Sequence, residues 1–359
     1  MEENKMGVMP VNKLLISMAL PMMISMLVQA LYNIVDSMFV AQISENALTA
    51  VSLAFPAQNL MIAVGTGTGV GINALVSRSL GERNGERANL IANNGLLLYV
   101  LSGIVFALFG IVGSRLCFRA QTSDLEIVEL GTQYLRICCL LSTAIFLQFG
   151  FERILQATGR TIYTMLTQGL GAIINIILDP ILIFGMGPFP RLGVAGAAYA
   201  TVCGQVVAAV ITGVRGWRRP PKVRDMLHYA GRIYYYGYSN IIMQCLYTVY
   251  ILALNIILAG FSDAAVTVLG LYYKAQSFFF IPLFGLQTCI VPVLSYNYAR
   301  RAFARCRRIM RDSFLVSVLF MLAGIIAFTQ CPIQMMNIFS NSAQVHARPL
   351  GSVETCNKR

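Results

Sequence analysis

The sequence predicts an all-α integral membrane protein made of two similar helical lobes that run in the same direction across the bilayer. Three observations carry this. Only 12% of the 359 residues are charged and 57% are hydrophobic, against about a quarter charged in an ordinary soluble domain. Nine stretches are apolar over the ~20 residues that cross a hydrocarbon core. The chain also repeats itself at an offset of 218 residues, which sets SENALTAVSL (44–53) on SDAAVTVLGL (262–271) and pairs Gln58 with Gln276, Gly67 with Gly285 and Ser77 with Ser295.

The spans follow in order. The first, 14–40, comes after MEENKMGVMPVNK, whose acidic residues and long apolar continuation do not fit a cleaved signal peptide, so this span is expected to stay. Its run ALYNIVDSMFVAQ is apolar but for one carboxylate, Asp36. The second, 48–77, contains VGTGTGVGIN, which lacks the G-x-x-x-x-G-K-[ST] spacing of a phosphate cradle and has no strand before it. Gly65 with Gly69 and Gly67 with Gly71 instead form two small-x-x-x-small faces for close helix approach. The third and fourth spans, 90–114 and 130–151, enclose Arg115 and Arg119; Glu152 falls at the end of the fourth beside Arg153. The fifth, 161–186, holds Asn175 and Asp179 one helical turn apart, and the sixth, 192–215, holds Thr201. The seventh, 233–259, has no acidic residue; the eighth, 265–298, has Lys274 about ten residues in; the ninth is 313–338. Backbone groups in lipid must be satisfied within the segment, and no run alternates like a membrane barrel strand, so all nine are read as helices.

Lys and Arg gather in alternate loops: Lys5 and Lys13; Arg78, Arg83 and Arg87; Arg153 and Arg160; the 215–232 segment; and the 300–311 segment. By the positive-inside bias these are cytoplasmic, which places the N-terminus inside a multi-pass protein of the plasma membrane. The net charge of +12 thus reports topology and points to no nucleic-acid partner. Six spans separate the repeats, an even number, so both halves share one orientation. The expected division is a six-helix lobe over 1–215, a cytoplasmic linker over 216–232 that includes GWRRPPKVRDML, a three-helix portion of a second lobe over 233–338, and a polar tail over 339–359.

Most of the nine cysteines lie in apolar runs without a C-x-x-C pair, and the two histidines, His228 and His346, are far apart. Small buried thiols are the expectation, with no metal site and no cofactor. No loop holds a nucleophile-and-base pair, so an enzyme is not expected.

Two repeated bundles around a midplane site are the architecture of a secondary transporter. The stretches ALPMMISMLVQALYNIVDSMFVAQ, AVSLAFPAQNLMIAVGTGTGVGINALVSRSLG, NIILDP (175–180), GVAGAAYAT (193–201) and YYKAQSFFFIPLFGLQTCIVPVLSYNY (272–298) resemble the multidrug and toxic compound extrusion (MATE) transporters, especially their bacterial branch, over about residues 12–345. The resemblance implies twelve helices, of which nine are present, and a cation site at Asp36, Asn175, Asp179 and Thr201. From the residues alone, carboxylate and amide oxygens on one helix face suit a proton or a small hard cation. An acid inside a span usually lines an ion or substrate path, the alternatives being a polar pairing for Asp36 and a helix-end role before Pro180 for Asp179.

The expectation is a cation-coupled antiporter, driven by H+ or Na+, that exports drugs or other small cationic or amphipathic compounds by alternating access, working as a monomer in the lipid bilayer. Gln58, Gln276, Lys274 and Tyr32 are candidates to line its cavity. For the two glutamines ordinary interhelical bonding is the competing reading, and for Lys274 snorkelling at a tilted end. Two departures from the family pattern stand out: Ser239 sits where the first half has Pro21, and the sequence after FSNSAQVHA turns into RPLGSVETCNKR, which reads as a premature end. The alternatives are a lipid-linked saccharide flippase of related architecture and a truncated membrane fragment that does not transport.

Overall fold

The structure, a computed structural model, describes residues 4–122, 124–186, 189–216, 228–259 and 263–330. The linker core and the polar tail lie outside the described residues. Twelve α-helices follow one another, with no strand among the described residues: α1 (Lys5–Val8), α2 (Val11–Ala41), α3 (Glu45–Gly81), α4 (Gly85–Val112), α5 (Ser114–Arg119), α6 (Leu125–Leu140), α7 (Ser142–Ala157), α8 (Thr161–Phe184), α9 (Val194–Gly216), α10 (Ala230–Ala259), α11 (Asp263–Ala299) and α12 (Phe303–Gln330). Seven are long and apolar enough to cross a membrane, or eight with α6 and α7 counted as one bent span. The thirty-residue α10 occupies the seventh predicted segment but is not among these, so seven or eight of the nine predicted spans are found among the described residues.

Local chemistry sets the helix ends. The Ser44 hydroxyl accepts from the Ala47 N–H at 3.0 Å at the start of α3, Asn84 Oδ1 from Arg87 N at 2.9 Å at α4, and Asp124 Oδ1 from Glu126 N at 2.9 Å at α6. Gly185, at φ +74°, closes α8 in the left-handed conformation that a side chain would resist. The predicted fourth span differs from the expectation: it breaks at Leu141, and α6 and α7 meet at 46°. The 130–151 segment is therefore two half-length helices, each with one apolar face.

The internal repeat holds to the residue. α11 begins 218 residues after α3 and both run for 37 residues; α12 begins 218 after α4 and both run for 28. The turns between them match as well. Arg83 at φ 59° and Arg301 at φ 58° take the same left-handed conformation, and the bond from Asn84 N to Ser79 O recurs as Ala302 N to Asn297 O.

Two apolar clusters fill the interior. One joins α3, α4, α6 and α7 around Ile72, Tyr99, Leu135 and Phe146; the other joins α1, α2, α11 and α12 around Met6, Met18, Leu286 and Ile309. The glycine run of α3 gives each of its two faces a separate partner. Gly65 and Gly69 lie against Phe149 and Arg153 of α7, while Gly67 and Gly71 lie against Gly237 and Ile233 of α10. The contact between α3 and α10 starts at Asn59 and Thr248 and continues to the end of the bundle where Arg83, Arg160 and Arg301 form the turns, called the basic end below.

The short α1 clasps this basic end. Asn4 Nδ2 donates to Thr158 O at 3.2 Å, and Met6 O accepts from Asn297 Nδ2 at 2.9 Å and Arg305 Nη2 at 3.2 Å. One helical turn thereby bridges the α7–α8 corner and the α11–α12 corner. Burial there holds the Lys5 ammonium below its ordinary pKa. Cys138, Cys139 and Cys289 are buried thiols as expected and Cys306 is buried too, but Cys245 is half-buried and Cys203 is exposed on α9.

Candidate functional site

The site is built where α8 and α9 cross. Gly171 and Gly204 oppose each other there, and a Cβ on Gly204 would lie 2.5 Å from the Gly171 carbonyl oxygen. That close approach brings the next turn of each helix into side-chain contact. Asn175 Nδ2 donates to Thr201 Oγ1 at 3.3 Å and to Asp179 Oδ1 at 3.4 Å. Asn175 is 2% exposed and Asp179 fully buried. The i, i+4 spacing on α8 therefore does what the sequence predicted, and Thr201 joins it from α9.

Asp36 comes from α2, which packs along α8, and it lies near enough to Asp179 for the two carboxylates to interact electrostatically. Neither acid is ion-paired among the described residues. Asp36 Oδ1, Asp179 Oδ2 and Asn175 Oδ1 are buried without a hydrogen-bond partner there. A buried polar atom left unsatisfied costs about 1–3 kcal/mol, so three such oxygens in one cluster of side chains are a place for water, a proton or a cation. Two carboxylates, an amide oxygen and a hydroxyl form a hard, all-oxygen donor set.

A cavity of about 60 Å³ opens beside this cluster, walled by Gln29 and Tyr32 of α2, Gln148 of α7, Asn175 of α8, and Thr201 and Gln205 of α9. That volume has room for several waters, each needing ~10–15 Å³. Of the predicted cavity residues, Tyr32 lines it. Gln58 does not: its Nε2 donates to Tyr134 Oη at 3.2 Å between α3 and α6, the interhelical bond that was the competing reading. Gln276 is half-buried on α11, with Oε1 lacking a partner, and is not among the residues lining this cavity. The side chain of Lys274 lies outside the described residues.

Sequence reasoning missed Gln29, Gln148, Gln168 and Gln205, and it misplaced Glu152. Glu152 is 2% exposed and turned inward from Arg153. Its Oε1 accepts from Gln148 Nε2 at 2.9 Å and its Oε2 from Gln168 Nε2 at 2.8 Å. Arg153 turns instead toward Gly69 and donates to Gln156 Oε1 at 2.9 Å. Gln168 had a detectable signature, two turns before Asn175 on the same face of α8. No group of three or more His, Cys, Asp or Glu side chains that could hold a metal ion occurs among the described residues.

Comparison with known proteins agrees on one relationship. The sequence model of the MatE family matches residues 21–181 and 240–349. The multidrug export protein MepA of Staphylococcus saprophyticus is 26% identical over 336 residues, covering 91% of this chain and 73% of that protein. A protein of Shewanella oneidensis described as an FAD transporter is 32% identical over 207 residues, 57% of this chain and 45% of its own length. Among solved structures, a MOP superfamily transporter from Pyrococcus furiosus superposes with a TM-score of 0.87 at 26% identity, over 96% of this chain and 78% of that one. An outward-facing MATE family transporter superposes at 0.84 and 27% identity, over 93% and 76%.

Proposed function

The chain belongs to the MatE family of transporters, and from that premise we propose that it exports small amphipathic or cationic compounds in exchange for an inward-moving cation, H+ or Na+. The observation that carries the reading is the buried Asn175–Asp179–Thr201 cluster with Asp36 beside it, of which Asn175 and Thr201 line the cavity. Such a site binds its cation best when the surrounding helices are closed on it, and releases it when they part. If cation and cargo favour different arrangements of the two repeats, the downhill movement of one drives the uphill movement of the other.

The basic end faces the cytoplasm in this reading, by the bias of Arg and Lys toward the inside, and the membrane is the plasma membrane. The division into a six-helix lobe over 1–215 and a second lobe beginning at 233 supplies the two bodies that rock. A second reading, export of an anionic compound, is favoured by the match to the FAD transporter and by the placement of Lys274 within α11.

The test is efflux of a cationic dye from cells expressing the chain, with Asp36→Asn and Asp179→Asn as variants. Both are expected to lose most of the efflux while reaching the membrane in normal amount. Dye export at the parent rate by either variant overturns the coupling site, and export of a flavin dinucleotide but no dye favours the second reading.

A further inference from the structure

One face of α8 is polar along nearly its whole length. Thr161, Thr164, Gln168, Asn175 and Asp179 succeed each other at helical spacing, with Gly171 in the turn between. Thr161, Thr164 and Asp179 are fully buried, and Asn175 nearly so. Each of the five carries a buried oxygen with no hydrogen-bond partner among the described residues: the two hydroxyls, Gln168 Oε1, Asn175 Oδ1 and Asp179 Oδ2. From Thr161 to Asp179 the helix rises ~27 Å at ~1.5 Å per residue, most of the ~30 Å of a hydrocarbon core. Buried polar groups are ordinarily satisfied, and a row of unsatisfied oxygens on one face from the basic end to Asp179, interrupted only at Gly171 where the cavity adjoins the helix, has the form of a hydrated path.

Glu152 joins that row at mid-length. Gln168 and Gln148 hold both its oxygens, and both glutamines also wall the cavity shared with Asn175 and Thr201. Gln205 adds a further unpartnered oxygen from α9. The ionisable groups packed round Glu152 are Arg153, whose guanidinium is turned to α3, and Tyr99 of α4, which donates to Gly65 O and lies within electrostatic range.

We infer that the buried face of α8 is a proton path and that Glu152 is its relay, taking the proton released at Asp36 and Asp179 and passing it by way of Thr164 and Thr161 to the basic end. The inference rests on the antiport reading above and names its ion as H+. The proton leaves a carboxylic acid of the pair for water, passes beside Asn175 into the cavity that Asn175, Gln148 and Gln168 line, and protonates the Glu152 carboxylate. It then departs as hydronium, each threonine hydroxyl accepting one proton as it donates its own. The amides of Gln148 and Gln168 hold the carboxylate in place and carry nothing. A hard metal cation asks for about six oxygens, whereas Glu152 presents one carboxylate already engaged by two N–H donors.

The experiment uses the full chain in proteoliposomes and measures dye transport driven by a pH gradient, dye exchange without a gradient, and the pH of half-maximal driven transport. Glu152→Gln is expected to lose driven transport by ~10-fold or more, to keep exchange within about twofold and to shift the half-maximal pH, with Glu152→Asp restoring part of the rate. Thr164→Val, which exchanges a hydroxyl for a methyl group of equal size, is expected to slow driven transport several-fold and leave exchange intact. Driven transport at the parent rate in both variants, with Asp36→Asn inactive, refutes the relay and leaves the antiport reading standing. Loss of exchange in step with driven transport also refutes it, since the residues are then structural. A parent driven by Na+ alone, or an Asp36→Asn variant driven as well as the parent, removes the proton reading and the relay with it. Should Glu152→Gln fail to fold, Thr164→Val decides the matter.

Discussion

Gly204 is the residue on which the α8–α9 crossing closes, and Gly204→Ala tests whether that crossing builds the site. The added Cβ would stand 2.5 Å from the carbonyl oxygen of Gly171, and a backbone oxygen cannot swing aside as a side chain can. Ordinary contact begins at 3.4 Å, so the helices must part locally by about 0.9 Å. Asn175 and Thr201, each one turn away, are joined at 3.3 Å. The same parting carries them to about 4 Å, outside hydrogen-bond range. Overpacking of this kind costs about 1–3 kcal/mol in stability, and the lost bond about 0.5–1.5 kcal/mol, a factor of roughly two to ten in site occupancy. At Gly171 the added Cβ would stand 3.0 Å from Gly204 O, so Gly171→Ala asks for only about 0.4 Å, a few tenths of an ångström that the side-chain torsions of Asn175 and Thr201 can take up without losing the bond. Driven dye transport in proteoliposomes, normalised to reconstituted protein, should fall about five- to tenfold for Gly204→Ala and less than about twofold for Gly171→Ala, with the thermal midpoint lowered more by the former. The reasoning fails if Gly204→Ala transports at the parent rate, or if Gly171→Ala is the more damaging of the two.

Three further outcomes are expected. Asn175→Leu removes both bonds to Asp179 and Thr201 and should reduce driven transport about tenfold and lower the thermal midpoint, because it leaves the buried Asp179 Oδ1 without its donor; transport at the parent rate argues against this. Tyr99→Phe deletes the buried hydroxyl that donates to Gly65 O at 2.8 Å and should cost about 1 kcal/mol in thermal unfolding with dye transport unchanged. Asn297→Ala removes the 2.9 Å bond to Met6 O and should loosen the α1 clasp; on a Met6→Cys background, labelling by a water-soluble maleimide should accelerate several-fold, and an unchanged rate would show that the clasp is held by packing alone.

Much of the architecture is a one-dimensional property of the chain. Whether a segment prefers lipid to water depends on its own length and hydropathy, so the nine segments and the 218-residue repeat could be read directly, and helix lengths and a left-handed arginine then recurred at the same offset. The Asn175–Asp179 pair was legible for the same reason, since i, i+4 spacing places two side chains on one face of any helix. Where that face points is another matter. A membrane helix has a lipid side, a bundle side and sometimes a cavity side, and only its neighbours decide which is which. Gln58 and Gln168 are the same residue type on two membrane-spanning helices, yet one bonds Tyr134 between two helices and the other faces the cavity. Glu152 looked like a helix-end residue beside Arg153, and the rotation of α7 turned it inward while Arg153 went to α3. The break at Leu141 was likewise invisible, because a 46° bend alters no hydropathy average. The sequence by itself determined which segments enter the membrane and which oxygens they carry; the tertiary structure decided which oxygens meet, because close approach at Gly171 and Gly204 and the rotation of each helix about its axis arise only when the whole bundle packs.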